Sequence, residues 1–301
     1  MNPKSKICPV SVILPCYNSA DTVALSLKSA AFQSRPPAEI LILDDGSSDN
    51  SKAIIESTIK DIQDKTPSKI RFFPCEENRG VYPVRNQALE EATQPYLAFL
   101  DSDDYWHPQK LEIQYSFFEK DPNLALSCHG VVFRNGVPET LKKFDTDYEP
   151  STKIMKHSNV LFRNVMITIS IMIKKPENLK FDEEKKRGSD MLFWLEIVLR
   201  GGKAMWIRDN MSFTAKPLYG AGGLSGNIWK AEMAQQNNLH KLWKRGYISL
   251  WYCLILRGFS LAKMVRRYII YYLRLMKGQD PSPKNINPPV RKKFSIFFSY
   301  F

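Results

Sequence analysis

Four short apolar runs, each halted by a polar or acidic cluster, constrain this chain more than any other feature. Val10-Ser-Val-Ile-Leu-Pro15 gives way to Cys16-Tyr17-Asn18, and Glu39-Ile-Leu-Ile-Leu43 to Asp44-Asp-Gly-Ser-Ser-Asp49. Lys69–Pro74 runs into Glu76-Glu-Asn-Arg-Gly80, and Tyr96–Leu100 into Asp101-Ser-Asp-Asp104. Runs of this length read as strands buried on both faces. Helical stretches separate them. The first spans about Ala20 to Gln33, with Ser19 as N-cap and Arg35-Pro36-Pro37 as its stop. The second is capped by Ser48 or Asp49 and runs to about Asp64, and the third covers Tyr82 to Thr93. Such alternation forces right-handed βαβ crossovers and a parallel sheet, an α/β fold. Ligands of such sheets bind at the carboxyl ends of the strands, where all four polar clusters fall.

Beyond this unit a helix is expected over Pro108–Asp121 and a strand over Leu124–Val132. The stretch 134–160 is polar and weakly patterned. Asn164–Lys174, with its Ile-Thr-Ile-Ser-Ile-Met-Ile run, predicts a further strand. Gly188-Ser189-Asp190 opens a helix, Met191–Arg200, that Gly201-Gly202 closes, and Ala204–Ile207 predicts a short strand. The 301 residues, 44% hydrophobic and 25% charged, exclude a disordered or collagen-like chain. They fit one large domain with an appendage, or two domains. Five cysteines form no CxxC pair. With no secretory leader expected from the polar Met1–Lys6 opening, reduced thiols and a cytoplasmic location are implied.

The carboxylates at the second and fourth strand ends carry the chemistry. Adjacent acids are costly unless exposed, shared or neutralised. An all-oxygen donor set suits Mg²⁺ or Mn²⁺ held by one or two carboxylates and completed by substrate phosphates. A metal there clamps a diphosphate and offsets charge on a departing phosphate. Asp44-Asp45 exceeds what helix capping needs, so one of the pair is available to accept from a nucleobase N–H or a ribose hydroxyl. The plain alternative for both clusters is a solvated turn with capping Asp and Ser.

Taken in order, Val10–Asn18, Asp44–Asp49, Asn78-Arg-Gly80 with Arg85-Asn86, and Phe99-Leu-Asp-Ser-Asp-Asp-Tyr-Trp106 resemble an inverting glycosyltransferase of family 2 with the GT-A fold. The resemblance covers residues 8–120 closely and extends loosely to about 227. It implies a Rossmann-like, mostly parallel central sheet flanked by helices, and a nucleotide-sugar donor bound by residues 1–105. Asp45 would contact uracil, Tyr17 would lie beside the base and Arg85 near the diphosphate. Asp101 and Asp103 would form the DxD, with the metal on Asp103 or Asp104. The acceptor part, 106–227, would carry the base at Asp190, although Ser189 replaces the usual Glu before it. The bland account of Asp190 is a helix-N-terminal acid favoured by the dipole. Bacterial relatives of this type build surface polysaccharides on lipid-linked acceptors. Two rivals remain open: a catalytically silent glycan-assembly scaffold on the same fold, and a nucleotidyltransferase. Tyr219-Gly-Ala-Gly-Gly-Leu-Ser-Gly226 is either a lid over the diphosphate or a connector. Trp106, Trp194, Trp206 and Trp229 are candidates for sugar stacking or for the core.

The formal charge of +12 is confined to one quarter of the chain. Residues 1–229 hold 29 basic and 29 acidic side chains, residues 230–301 hold 14 and 2. A neutral body and a basic region (228–301) that meets something anionic follow. The longest uncharged run there, Gly246–Leu256, is 11 residues, too short to span a bilayer. On a helical wheel Lys263, Arg266, Arg267, Arg274 and Lys277 share an arc of about 100°, opposite Leu261, Met264, Val265, Tyr268, Tyr271, Tyr272 and Leu275. Such a helix suits the surface of an anionic membrane, placing the protein peripherally on its inner face. Gly278–Pro289 reads as a linker, and Arg291-Lys-Lys293 with Phe294–Phe301 as a second anchor. Packing on the body or against a second copy are the competing uses. No nucleic-acid partner is expected, because the body's motifs show no matching basic surface.

Overall fold

The structure is a computed structural model describing residues 7–133, 148–163, 165–185, 187–214 and 228–277. The chain begins β1 (Cys8–Cys16), α1 (Val23–Ala31), β2 (Pro37–Asp44), α2 (Ser51–Ile62), β3 (Lys69–Pro74), α3 (Val81–Glu91), β4 (Tyr96–Phe99). It continues β5 (Asp104–Trp106), α4 (Lys110–Lys120), β6 (Leu124–Phe133), β7 (Thr152–Met155), α5 (His157–Phe162) and a 3₁₀ turn (Thr168–Ser170). The last elements are β8 (Met172–Lys174), α6 (Ser189–Leu199), β9 (Lys203–Thr214), α7 (Ile228–Lys244) and α8 (Leu250–Met276).

One sheet in the order β3-β2-β1-β4-β8-β6-β9-β5 organises the molecule, with β7 attached to β9. The pairs β1/β2, β2/β3, β1/β4 and β6/β9 are parallel. The direction reverses at β8, which runs antiparallel to both β4 and β6. Alternation along the central strands divides the core into two layers. Ile13, Leu41 and Phe99 face a layer with Val84, Trp194, Leu239 and Leu256. Val12, Ile40, Ile42 and Ala98 face the other, against Leu27, Ile55, Leu111 and Phe118. Each fully buried aliphatic or aromatic side chain contributes about 1.5–3 kcal/mol, so these two layers fix the strand ends as a rigid rim. Trp106 and Trp194 belong to this core, at 2% and 0% exposure. Trp206 is partly buried beside Arg163 and Arg208, and Trp229 is half exposed.

Several boundaries differ from expectation for local reasons. Helix α1 starts at Val23, and Ser19 does not cap it: its carbonyl accepts the amides of Thr22 and Val23, forming a turn. The Ser19 hydroxyl is engaged with Tyr17 O and with the Ser102 hydroxyl. At α2, Asn50 occupies the cap position, while Asp49 accepts the Ser51 amide at 2.9 Å. The run 167–171 is not strand. The Ser170 hydroxyl and amide both bond to Ile167 O, closing a turn that competes with the ladder. Strand β9 extends well past Ile207 because β6 and β5 pair with it there. The Gly-rich loop 219–226, the linker from 278 and the aromatic terminus lie outside the described residues.

Candidate active site

The rim is assembled by loops that hydrogen-bond to one another. Asn18 adopts φ 46°, a conformation Asn tolerates. Its amide donates to Ser47 Oγ at 2.9 Å and its Oδ1 accepts the Ser48 amide at 2.9 Å, tying the loop after β1 to the loop after β2. Asp44 is buried and holds the Ser47 amide and hydroxyl. Asp45 reaches the next loop: Oδ1 accepts the Arg79 amide and Oδ2 the Gly80 amide, both at 2.8 Å. Each carboxylate oxygen retains a second lone pair for another donor. Gly46 permits this approach. It has φ +69°, and a Cβ there would lie 2.6 Å from the Glu77 carbonyl carbon. Tyr17 projects beside these loops, 49% exposed.

Helix α3 then delivers Arg85, buried and hydrogen-bonded through Nη2 to Asp101 Oδ1 at 2.6 Å. Burial opposes the guanidinium charge, but Asp101, Asp190 and Tyr82 outweigh it and hold the pKa above the ordinary value. Burial raises the Asp101 pKa; Arg85 pulls it down and Asp103 pushes it up. Asp101 is engaged by Arg85, and Asp103 and the buried Asp104 complete the acidic cluster. Both line the cleft, Asp104 from the first position of β5, where pairing with Thr214 fixes its backbone. Among the described residues no cluster of three or more His, Cys, Asp or Glu is placed to hold a metal. Two carboxylates completed by phosphate oxygens fit the sparse protein ligation that Mg²⁺ accepts.

Asp190 stands in the first turn of α6 and lines the same cleft. Gly188, at φ +71°, occupies the cap position. Asp190 Oδ2 accepts the Thr168 hydroxyl at 2.8 Å and Oδ1 the Met191 amide at 2.9 Å, so the carboxylate is oriented from two sides. The buried Ser189 faces away from the cleft chemistry and accepts the Asp182 amide at 2.6 Å. Tyr82 lies nearby; burial, and then the Asp190 charge, raise the pKa of its hydroxyl and keep it protonated.

One cleft of about 1110 Å³ is lined by all seven residues singled out from the sequence: Tyr17, Asp45, Arg85, Asp101, Asp103, Asp104 and Asp190. That volume exceeds what one drug-sized ligand fills. The cleft also contains residues that sequence reasoning missed. Thr168 was hidden in a run read as strand. Lys185 and Arg187 sit in the polar approach to α6. Ala231, Ala234 and Asn238 come from α7, which starts where the basic region was expected to begin. Their i, i+3, i+7 spacing, with Gln235 at i+4, is the signal that could have found them: one helical stripe of small and amide side chains.

Comparison with known proteins agrees with this geometry. The sequence profile of Glycosyl transferase family 2 matches residues 11–174. TuaG of Bacillus subtilis, a glycosyltransferase assigned to teichuronic acid biosynthesis, is 30% identical over 74% of this chain and 83% of its own length. WfaP of Escherichia coli, a UDP-Glc:α-D-GlcNAc-diphosphoundecaprenol β-1,3-glucosyltransferase, is 30% identical over 77% of this chain and 85% of its own. Among solved structures, TarS of S. aureus (residues 1–349) superposes with a TM-score of 0.61 at 20% identity, covering 84% of this chain and 70% of that one. The fold is therefore that of the GT-A glycosyltransferases, and the chain belongs to glycosyl transferase family 2.

Proposed function

We propose that this glycosyltransferase moves a hexose or N-acetylhexosamine, with inversion, from a UDP-sugar to a hydroxyl of a glycan acceptor in surface-polysaccharide synthesis. The single observation that carries the reading is the cleft that sets Asp190 against the Asp101–Asp104 carboxylates and Arg85. Support for the donor comes from TarS, whose structure with UDP-GlcNAc has a TM-score of 0.60. WfaP, a glucosyltransferase to α-D-GlcNAc-diphosphoundecaprenol, supports a lipid-linked acceptor.

In this mechanism the nucleotide lies across the strand ends beside Tyr17, with Asp45 accepting from uracil. Arg85, held by Asp101, lies next to the diphosphate. Asp103 and Asp104 would hold Mn²⁺ or Mg²⁺, which when bound neutralises charge on the leaving diphosphate. A mannosyltransferase of the same fold (TM-score 0.56) is known with GDP-Man and Mn²⁺. Asp190, oriented by Thr168, takes the proton of the acceptor hydroxyl. The acceptor oxygen bonds to the anomeric carbon from the face opposite the diphosphate, the C1–O bond breaks, and UDP leaves with the electron pair. One displacement inverts the anomeric centre and needs no covalent enzyme intermediate.

Helix α8 supports placement on the inner face of the cell membrane. No helix of the described residues is long and apolar enough to cross a membrane. One side of α8, with Cys253, Leu256, Ser260 and Met264, is buried against the body. Its other side exposes Trp251, Ile255, Val265, Ile269, Tyr272 and Met276, spaced by threes, fours and their sums. Lys263, Arg266, Arg267 and Arg274 are half-buried along one edge of that face. Apolar insertion flanked by cations fits an anionic headgroup layer. The expectation is sedimentation with phosphatidylglycerol vesicles but not phosphatidylcholine vesicles, lost in Ile255→Glu/Ile269→Glu; unchanged sedimentation of that variant would remove the membrane assignment.

The donor test is nucleotide release across UDP-, GDP- and dTDP-sugars with Mn²⁺ or with chelator. One UDP-sugar is expected to be hydrolysed slowly and metal-dependently. Asp190→Asn is expected to lose about 10²–10⁴ in transfer rate while still binding UDP. Absence of UDP binding in the presence of metal overturns the donor assignment.

A further inference from the structure

The wall beside Asp190 carries two cations that the transfer chemistry does not use. Lys185 and Arg187 lie on the segment between Phe181 and α6, and both line the cleft with Asp190. Arg187 Nη1 is buried and has no hydrogen-bond partner among the described residues. A buried N–H donor of a guanidinium is costly unless something accepts from it. Lys185 Nζ is held by neutral acceptors, Asn237 Oδ1 at 2.8 Å and Asn238 Oδ1 at 2.5 Å. Asn238 in turn donates to Gly188 O at 2.8 Å, which fixes the segment against α7.

Asp190 acts on Lys185 only through space, and the other carboxylates nearby are paired with other groups or face solvent. Asp182 is paired with Lys241 and, at 3.5 Å, with Arg245; the buried Glu196 is paired with Arg245. Glu183 accepts from Asn86 at 2.6 Å, and Glu184 points to solvent, 3.8 Å from Lys241. Burial, reinforced by Lys241, lowers the Lys185 pKa to about 8, with Asp182 pulling the other way. An anion bound between Lys185 and Arg187 relieves both strains at once. Arg187 precedes Asp190 by three residues, around the start of α6. A group bound there shares the cleft with the acceptor hydroxyl that donates to Asp190.

We propose that Lys185 and Arg187 form an anion subsite for a phosphate carried by the acceptor next to the sugar that reacts. The guanidinium fork matches two phosphate oxygens and the lysine supplies a point charge. The ligand class is a glycosyl phosphate or diphosphate, whether its far side is a lipid or a polymer chain. This rests on the glycosyltransferase reading above, in which Asp190 faces the acceptor.

The test titrates UDP-saturated protein with two probes, N-acetylglucosamine 1-diphosphate bearing a short alkyl ester and the neutral alkyl glycoside of the same sugar. The wild type is expected to bind the diphosphate at least about tenfold tighter, with the preference falling as salt is raised. Lys185→Met/Arg187→Met is expected to bind both probes alike, and Arg187→Lys to recover part of the preference. Inorganic pyrophosphate competing as well as the sugar diphosphate identifies the phosphate alone as the recognised group. A longer alkyl chain that tightens binding identifies a lipid source, and one that does not identifies a polymer. Equal binding of both probes by the wild type, or a preference retained in the double variant, overturns the proposal. Failure of the wild type to bind UDP would instead overturn the donor assignment, so the two failures are distinct.

Discussion

Gly46→Ala is expected to damage the donor end of the cleft far more than a loop substitution ordinarily does. At φ +69° an alanine costs about 1–2 kcal/mol in backbone energy. The added Cβ would also lie 2.6 Å from Glu77 C and 2.7 Å from Asn78 N, both main-chain atoms, where ordinary contact begins near 3.4 Å. The 77–80 segment must therefore withdraw by about 0.8 Å. That retreat stretches the 2.8 Å bonds from the Arg79 and Gly80 amides to Asp45 past hydrogen-bond range. Each amide–carboxylate bond is worth about 1.5–3 kcal/mol. Losing both on top of the backbone term gives a loss of about 4–8 kcal/mol, a fall in Tm on the order of 10 °C. Gly80→Ala supplies the control. It shares a positive φ, +91°, but a Cβ there meets nothing within 4 Å. Its cost is the backbone term alone, about 1–3 kcal/mol for φ +91° with ψ 158°, a region open essentially only to glycine. The assay is thermal unfolding of both variants with and without UDP. If they melt alike, or if Gly46→Ala binds UDP within twofold of the wild type, then the close approach of loop 77–80 does not hold Asp45 in place.

Three further outcomes are expected. Thr168→Val keeps the side-chain shape but removes the donor to Asp190, so kcat should fall about tenfold to a hundredfold with the donor KM unchanged; a change in KM alone would assign Thr168 to donor binding. Lys110 is fully buried, its Nζ without a hydrogen-bond partner and 3.7 Å from the Trp106 ring centroid, and burial holds its pKa well below 10.5. Between the folded pKa and 10.5 the unfolded chain carries a proton the folded chain lacks, so wild-type stability rises with pH through that window. Lys110→Met should stabilise by about 1–3 kcal/mol near neutrality, the gain growing as pH is lowered, and a gain flat in pH by chemical denaturation would contradict the buried-amine account. Gly258 lies inside α8 with open space around it, so Gly258→Ala should raise stability by about 0.8–1.0 kcal/mol; a lower melting temperature would mean that this face is already covered by something that needs the gap.

The first half of the sheet was legible because burial on both faces leaves an unbroken apolar run, and the polar residues that end it are the site. β1 to β4 and their acids follow from that rule alone. What escaped detection depends on partners distant in sequence. β5 is three residues long and overlaps the acidic cluster, so Asp104 reads as loop until β9 pairs with it. Ile167–Ile171 alternates as a strand does, yet the Ser170 hydroxyl bends it into the turn that presents Thr168 to Asp190. Ser19 has the identity of a cap, but its hydroxyl bonds across 83 residues to Ser102. Charge counting marked residues 228–301 as a separate basic region. The stripe Ala231, Ala234, Gln235, Asn238 carries no charge, so its place in the cleft was invisible to that count.

The reversal at β8 also sets the order in which the chain can fold as it is made. β1, β2 and β3 pair with strands about thirty residues away, and β4 closes on β1 once residue 99 has appeared. The outer edge of β4 then waits for Met172–Lys174, and the far edge of β6 for Lys203–Thr214. At a synthesis rate of about 5–20 residues per second, the β4 edge stands open for roughly 4–15 s. Leu97, Ala98 and Phe99, wholly buried in the finished protein, lie on that edge. A nascent chain caught in this interval presents a hydrophobic strand template to its neighbours on the same message. The position of β8 thus makes the yield of folded enzyme a race between elongation through residue 174 and encounter with another unfinished copy.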